Sequence, residues 1–275
     1  MELSTQLLLG TPTLAARDIV CAGTCRHRSE EEFAESTCLV FPYRGVFVRH
    51  VGRSDSVGEA NQLLFFSRGE GYQISHPVPG GDACLSIAIA ESWLRELAPD
   101  GQLADGVQLA FRRLRRRIDS RAQALVALIR YGLRTGGVET LEAETLVLTL
   151  ARRALGERTS HAPRGSSGRQ KLVDRAKLIL SSDLGRRWTL ADIASEIRVS
   201  PVYLTQVFQQ VEGLPLYRYQ LRLRLARALH LLGRYEDLSH LSFDLGFSSH
   251  SHFTSAFRQL YGRTPAEFRR SIHTR

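Results

Sequence analysis

A duplication in the last third of the chain limits its fold more than any other sequence feature. SPVYLTQVFQQVEG, beginning at Ser200, and SHSHFTSAFRQLYG, beginning at Ser249, align at a constant offset of 49 residues. Ser200 matches Ser249, Leu204 matches Phe253, Phe208 matches Phe257 and Gly213 matches Gly262. Each copy follows a short apolar helix (DIASEI or LSHLSFDL) and a tight turn, and each ends in a Pro-containing stop, GLPL or GRTPAEF. A leading serine caps backbone N–H groups that a helix start leaves unpaired. Pro201 stands at the first helical position, where its missing N–H removes no bond, and Thr189 is placed to cap LADIASEI. The spacing predicts helix, tight turn, helix, twice over. The first turn of the second copy, Ser249-His250-Ser251-His252, is polar, as a core-facing turn would not be. Plain helical hairpins would leave that polar turn unexplained, whereas a helix tip facing base edges in a DNA groove accounts for it.

Charge points the same way. The formal net charge of +9 is unevenly placed. Residues 1–100 carry 8 Arg against 13 acids, 101–169 carry 13 Arg against 6, and 170–275 carry 16 Lys and Arg against 9, giving −5, +7 and +7. A basic second half expects a polyanionic partner. The 275 residues suffice for two domains, with hydrophobic and charged contents of 43% and 24% in the ordinary globular range. No apolar run approaches the ~20 residues of a membrane span. The N-terminus has no basic segment ahead of its apolar patch, and four irregularly spaced cysteines make no disulfide framework. The expectation is a cytoplasmic protein without a membrane partner.

Residues 157–169, ERTSHAPRGSSGR, have linker composition and divide a first domain, 1–156, from a second, 170–275. TCLVFPY, GVFVRHV, QLLFFS, YQISHP and ACLSIAIA, within 37–90, read as short strands of a small antiparallel sandwich or barrel. Residues 91–156 read as helical, with Leu114, Ile118, Leu125, Leu128 and Ile129 recurring at helical steps, then Leu141 to Leu155 after Gly136-Gly137. RRLRRR, 112–117, falls on this pattern either as a solvated helix face, with Leu114 and Ile118 inward, or as an extra contact to DNA or an acidic partner. These helices also offer an apolar face for a homodimer. Beyond the linker the chain reads as all helix, and the connecting helix 216–232 sets Leu216, Tyr219, Leu223, Ala226 and Leu229 on one face. The expected fold class is α+β.

The pattern of Ile193-Ala194, Leu204, Phe208, Arg222-Leu223, Ala226, Leu229, Gly246-Phe247, Phe253, Phe257, Gly262, Thr264-Pro265 and Phe268-Arg269 resembles the C-terminal DNA-binding domain of AraC/XylS-type transcriptional regulators. The first half is similar to the family's cupin-like sensor region in arrangement and strand texture. The resemblance implies a double helix-turn-helix domain over 170–275, a small antiparallel β-barrel before it for sensing or dimerisation, and the role of an activator. Its implied partners are double-stranded DNA, RNA polymerase, a small-molecule effector and a second copy of the chain. Implied base contacts are Val202, Thr205 and Gln206 from the first unit and His250, Ser251, Thr254 and Ser255 from the second. Gln206 suits bidentate bonding to adenine, and Val202 or the Thr205 methyl suits a thymine methyl. Phosphate contacts are expected from Arg187, Arg218, Arg222 and Arg258 and from the helix starts at Ser200 and Ser249; Arg222 serves equally as an ion-pair partner between the units. Two positions depart from the family: Arg198 stands where glycine is usual in the first turn, and Ser242 where alanine is usual.

In the first half, Cys21-x3-Cys25-x-His27, with Cys38 beyond, reads either as a metal or redox cluster or as ordinary buried thiols. A cysteine cluster beside such a domain would alternatively suit a DNA-alkylation repair protein. HPVPGGD, 76–82, reads as a strand-joining turn. Phe47, Phe65 and Tyr72 are candidates to line an effector pocket. No catalytic residue, metal site or cofactor is assigned, and the chain is expected not to be an enzyme.

Overall fold

Alternation along the strands builds the first half. The computed structural model describes residues 3–23, 25–104, 106 and 109–273, divided into units of 1–163 and 164–275. The first unit opens with β1 (Leu3–Gly10), β2 (Leu14–Cys21), β3 (Glu32–Phe33), β4 (Cys38–Gly45), β5 (Phe47–Val51), β6 (Ser54–Gly58), β7 (Gln62–Phe66), β8 (Gly71–Ser75) and β9 (Asp82–Ile89). There follow α1 (Glu91–Leu97), β10 (Leu103–Ala104), β11 (Ala110–Phe111), β12 (Arg115–Ile118), α2 (Ser120–Thr135), α3 (Thr140–Leu155) and β13 (Ser160–His161). A seven-stranded sheet runs β1-β2-β9-β4-β7-β12-β13, a four-stranded one runs β3-β8-β5-β6, and β10 pairs with β11.

Successive strand residues face opposite ways, and the core divides accordingly. Leu39, Phe41, Leu63, Phe65, Leu85 and Ile87 pack with Val126, Ile129, Val147 and Leu150 of α2 and α3. Val40, Leu64, Phe66 and Cys84 pack on the other side with Phe47 and Ala34. The sheets stay open, so the β domain is layered where a small barrel was expected. The buried apolar residues of α2 and α3 lie in this core.

The helical expectation fails at RRLRRR. Arg115–Ile118 forms β12, antiparallel to both β7 and β13. Leu114 and Ile118 are four apart, a spacing that fits period 2 as well as period 3.6. Arg115 and Arg116 are buried, and Arg116 Nη1 donates to the Leu155 carbonyl at the end of α3, 3.2 Å away, where a helix terminus favours a cation. α2 starts only after Asp119, whose Oδ1 accepts the Ala122 N–H at 2.9 Å. The expected linker is structured on both sides of the unit boundary: Ser160–His161 joins the large sheet, and a helix starts at Ser167.

The second unit holds α4 (Ser167–Ser182), α5 (Leu190–Ile197), α6 (Pro201–Glu212), α7 (Leu216–Leu231), α8 (Leu238–Asp244), α9 (His250–Tyr261) and α10 (Pro265–His273). α4 packs on α5 and α6, and a buried ion pair, Lys177 Nζ to Glu212 Oε1 at 2.6 Å, joins it to α6. α7 buries Leu216, Tyr219, Leu223, Ala226 and Leu229, the stripe expected of it, and at ~1.5 Å per residue spans roughly 24 Å between the two repeats.

Candidate nucleic-acid interface

Local chemistry fixes each reading helix by its start. Thr189 and Asp192 form a reciprocal capping box on α5, and these backbone and side-chain bonds hold the Asp192 carboxyl below the usual carboxylate range. The turn after α5 needs a left-handed residue, and Arg198 takes it at φ 59°, the one non-glycine with positive φ among the described residues. Ser200 Oγ accepts the Tyr203 N–H at 3.1 Å, with Pro201 at the first position of α6. The second unit repeats the design. Asp237 caps α8, Ser242 is buried with its hydroxyl donating to the Ser239 carbonyl at 2.7 Å, and Ser249 Oγ accepts the His252 N–H at 3.1 Å.

Leu204, Val207, Phe208 and Val211 are buried on α6, and Phe253, Ala256 and Phe257 on α9. The opposite faces are open. Val202 is 67% exposed, an unusual placement for a branched apolar side chain. Gln206, Gln209, His250, Ser251 and Ser255 are also exposed, while Thr205 and Thr254 are half-buried. The Thr205 hydroxyl donates to the Pro201 carbonyl at 3.0 Å, leaving its methyl as the group to offer a base. His250 Nε2 lies 3.4 Å from Thr254 Oγ1, which couples two of the expected contacts on α9.

Arg187, Arg218 and Arg258 are exposed; Arg218 Nε donates to the Tyr217 hydroxyl at 3.0 Å. Arg222 differs. It is half-buried on α7, near enough to Tyr261 of α9 that its charge counters part of the push burial gives the phenol. Ser200 and Ser249 stand at the helix starts, their hydroxyls engaged as caps. Sequence reasoning missed Arg224. Its guanidinium donates to the carbonyls of Leu184 (2.7 Å), Arg186 (2.7 Å) and Gly246 (3.2 Å), stitching the loop before the first reader to the turn of the second. No local motif announces it, because its partners lie 22 to 40 residues away.

In the first unit a cavity of about 630 Å³ is lined by Phe47, Phe66 and Tyr72 among others. Phe65 does not line it; its ring stacks on Phe111, centroids 4.3 Å apart, in the core on the opposite face of β7. The cysteines do not converge as one set. Cys21 is the cross-strand partner of Asp82, and Cys38 that of Ala88, six positions or ~20 Å along β9. His27 is exposed. Burial pushes the Cys21 and Cys84 thiols up. His50 bridges Asp55 (2.6 Å) and Ser75 (2.8 Å), tying β5, β6 and β8 together.

Two capped helix-turn-helix units with outward polar tips define the class of a double helix-turn-helix domain. Comparison with known proteins places it in a family: residues 193–271 match the helix-turn-helix domain family model. The Msm operon regulatory protein of Streptococcus mutans is 30% identical over 114 residues, 41% of this chain and 41% of that protein. The HTH-type transcriptional activator RhaS of Escherichia fergusonii is 38% identical over 78 residues, 28% of each chain. A solved AraC-type DNA-binding domain protein from Chromobacterium violaceum is 30% identical, covering 39% of this chain and 96% of that one with a TM-score of 0.37. The second unit belongs to the AraC-type helix-turn-helix family. The chain spans about two-fifths of the length of the Msm relative it matches.

Proposed function

We propose that the protein is a cytoplasmic, sequence-specific DNA-binding transcriptional regulator of the AraC type, acting as an activator, with the β domain sensing an effector in its cavity. The observation that carries this reading is the paired exposure of Val202 and Gln206 on α6 and of His250 and Ser251 on α9, above apolar faces that are buried. Reading helices joined by a rod of roughly 24 Å suit neighbouring major grooves on one face of a duplex, ~34 Å apart. One protomer then reads a long asymmetric site. Val202, Thr205 and Gln206 supply most of the base discrimination, since His250, Ser251, Thr254 and Ser255 are short or mutually bonded and favour water-mediated contacts. Arg187, Arg218 and Arg258, with the N–H groups at the starts of α6 and α9, hold phosphate.

The test starts from a bound sequence selected out of random DNA. Gln206→Ala weakens that sequence by ~1–3 kcal/mol and leaves random DNA unchanged, whereas Arg218→Ala weakens both alike and lowers the salt slope by about 1. Equal loss on both DNAs for Gln206→Ala removes it from the base contacts. Absence of salt-dependent DNA binding by the wild type removes the function.

A further inference from the structure

HPVPGGD does more than join strands. It carries His76 at its start and Asp82 at its end, and folds both against Cys21. Cys21 and Asp82 are direct cross-strand partners of β2 and β9, so their side chains share the face that lines the cavity. The backbone locks this approach. Gly23 and Gly81 both have positive φ, and a Cβ at either would overlap the other loop's backbone. The Cys21 thiol, the His76 ring and the Asp82 carboxylate each bring a donor atom within 4.8 Å of the others, and all three residues are buried.

Hydrogen bonding leaves this cluster incomplete. His76 Nε2 lies 2.6 Å from Asp82 Oδ1, Cys84 Sγ donates to Asp82 Oδ2 at 3.2 Å, and Cys21 Sγ accepts the Gly23 N–H at 3.4 Å. His76 Nδ1 is buried with no hydrogen-bond partner among the described residues. Buried polar atoms are ordinarily paired. With Nδ1 unengaged, the ring proton has a place there, which leaves Nε2 to act with the thiol and the carboxylate as a set of donors for a cation.

We propose that Cys21, His76 and Asp82 bind a zinc-class divalent cation in the wall of the cavity, with the fourth position left to solvent or a ligand. The donor set is one sulfur, one nitrogen and one oxygen, which suits zinc and not the all-oxygen preference of calcium or magnesium. Tetrahedral zinc holds its donors ~3.4–3.7 Å apart, so the cluster closes with movements on the order of 1 Å. Coordination through His76 Nε2 leaves the ring proton on Nδ1, and the Cys21 thiol gives its proton to solvent and binds as thiolate. The inference does not depend on the DNA-binding reading.

The test is a titration of the tag-free, metal-stripped full chain with Co2+, followed by displacement with Zn2+ against a chromophoric chelator. The expected result is one tight equivalent, a thiolate-to-cobalt charge-transfer band, and release of at least one proton. Cys21→Ser abolishes the band, His76→Gln and Asp82→Asn weaken binding at least tenfold, and Cys38→Ser changes nothing. Circular dichroism of each variant identifies any that fails to fold, and the wild-type stoichiometry and proton release decide the matter without them. Failure of the wild type to show the band, or a band that survives in folded Cys21→Ser, overturns the proposal.

Discussion

Replacing Gly246 by alanine tests how the two reading units are held together. Gly246 sits at φ 76° in the turn between α8 and α9. A Cβ there would run into the Gly185 carbonyl oxygen and stand 2.9 Å from Arg224 Nη2. Gly262, at the end of α9, has nearly the same backbone, φ 77°, but nothing lies within 4 Å of its virtual Cβ. Gly262→Ala therefore measures the left-handed penalty alone, about 1 kcal/mol, offset in part by a stiffer unfolded chain. Gly246→Ala adds a backbone clash that the 183–188 loop relieves only by moving off Arg224. That movement weakens the Arg224 bonds to the Leu184 and Arg186 carbonyls, both 2.7 Å. A hydrogen bond from a charged donor contributes ~1.5–3 kcal/mol, so losing one brings the total to about 2.5–4 kcal/mol, or a fall of ~10–15 °C in the midpoint of a unit this size. Trp188 lies in the affected loop, the Arg186 guanidinium 3.8 Å above its ring. In a Trp93→Phe background its fluorescence follows unfolding of the second unit alone. Equal midpoint shifts for Gly246→Ala and Gly262→Ala would refute the reasoning, because the close approach would then contribute nothing.

Arg198→Gly relieves the left-handed strain after α5 and raises the stability of the second unit by ~0.5–1 kcal/mol in urea unfolding; a loss of stability would show that the arginine side chain outweighs its backbone. Lys177→Met takes the ammonium from the buried Glu212 and Asp174 carboxylates and lowers stability by ~3–5 kcal/mol, while adding Glu212→Leu restores part of it; thermal melts of single and double variants check the pattern, and a double variant no better than the single contradicts it. Asp192, Asp237 and Glu267 are held below the usual carboxylate range by hydrogen bonds, first from the backbone N–H groups of Thr189, Ser239 and Thr264. Groups depressed on folding stabilise above their unfolded values of ~3.9–4.3 and lose that contribution as pH falls through the lower folded values. Acid titration of Asp192→Asn with Glu267→Gln should show a shallower fall in helix content below about pH 4, and an unchanged profile would contradict the assignment.

What the sequence discloses depends on how far apart the determinants lie. The second unit is written in short-range signals: a cap, a proline at N1, apolar residues four apart, a glycine stop. Thr189, Ser200, Ser249, Gly213 and Gly262 all occupy the roles their neighbours require. Even the departures at Arg198 and Ser242 stand out in the sequence, and each is met locally, one by a left-handed backbone and one by a bond to the Ser239 carbonyl. The first unit is written across the sheet. β7 is buried along its whole length, so no alternation tells Phe65 from Phe66, and a slip of one residue moves a side chain from cavity to core. β1 is exposed along most of its length and carries no pattern to mark it. Leu114 and Ile118 fit two periods at once. Counting pairs Cys21 with Cys25 and His27, yet it cannot reveal His76 and Asp82, brought in by antiparallel pairing and by two glycines in contact. Arg224 follows the same rule, since its acceptors come from two loops on either side of it. Caps and periods are chosen by residues a turn away and can be read locally, whereas a cavity wall or a ligand cluster is chosen by register, which exists only once the strands have paired.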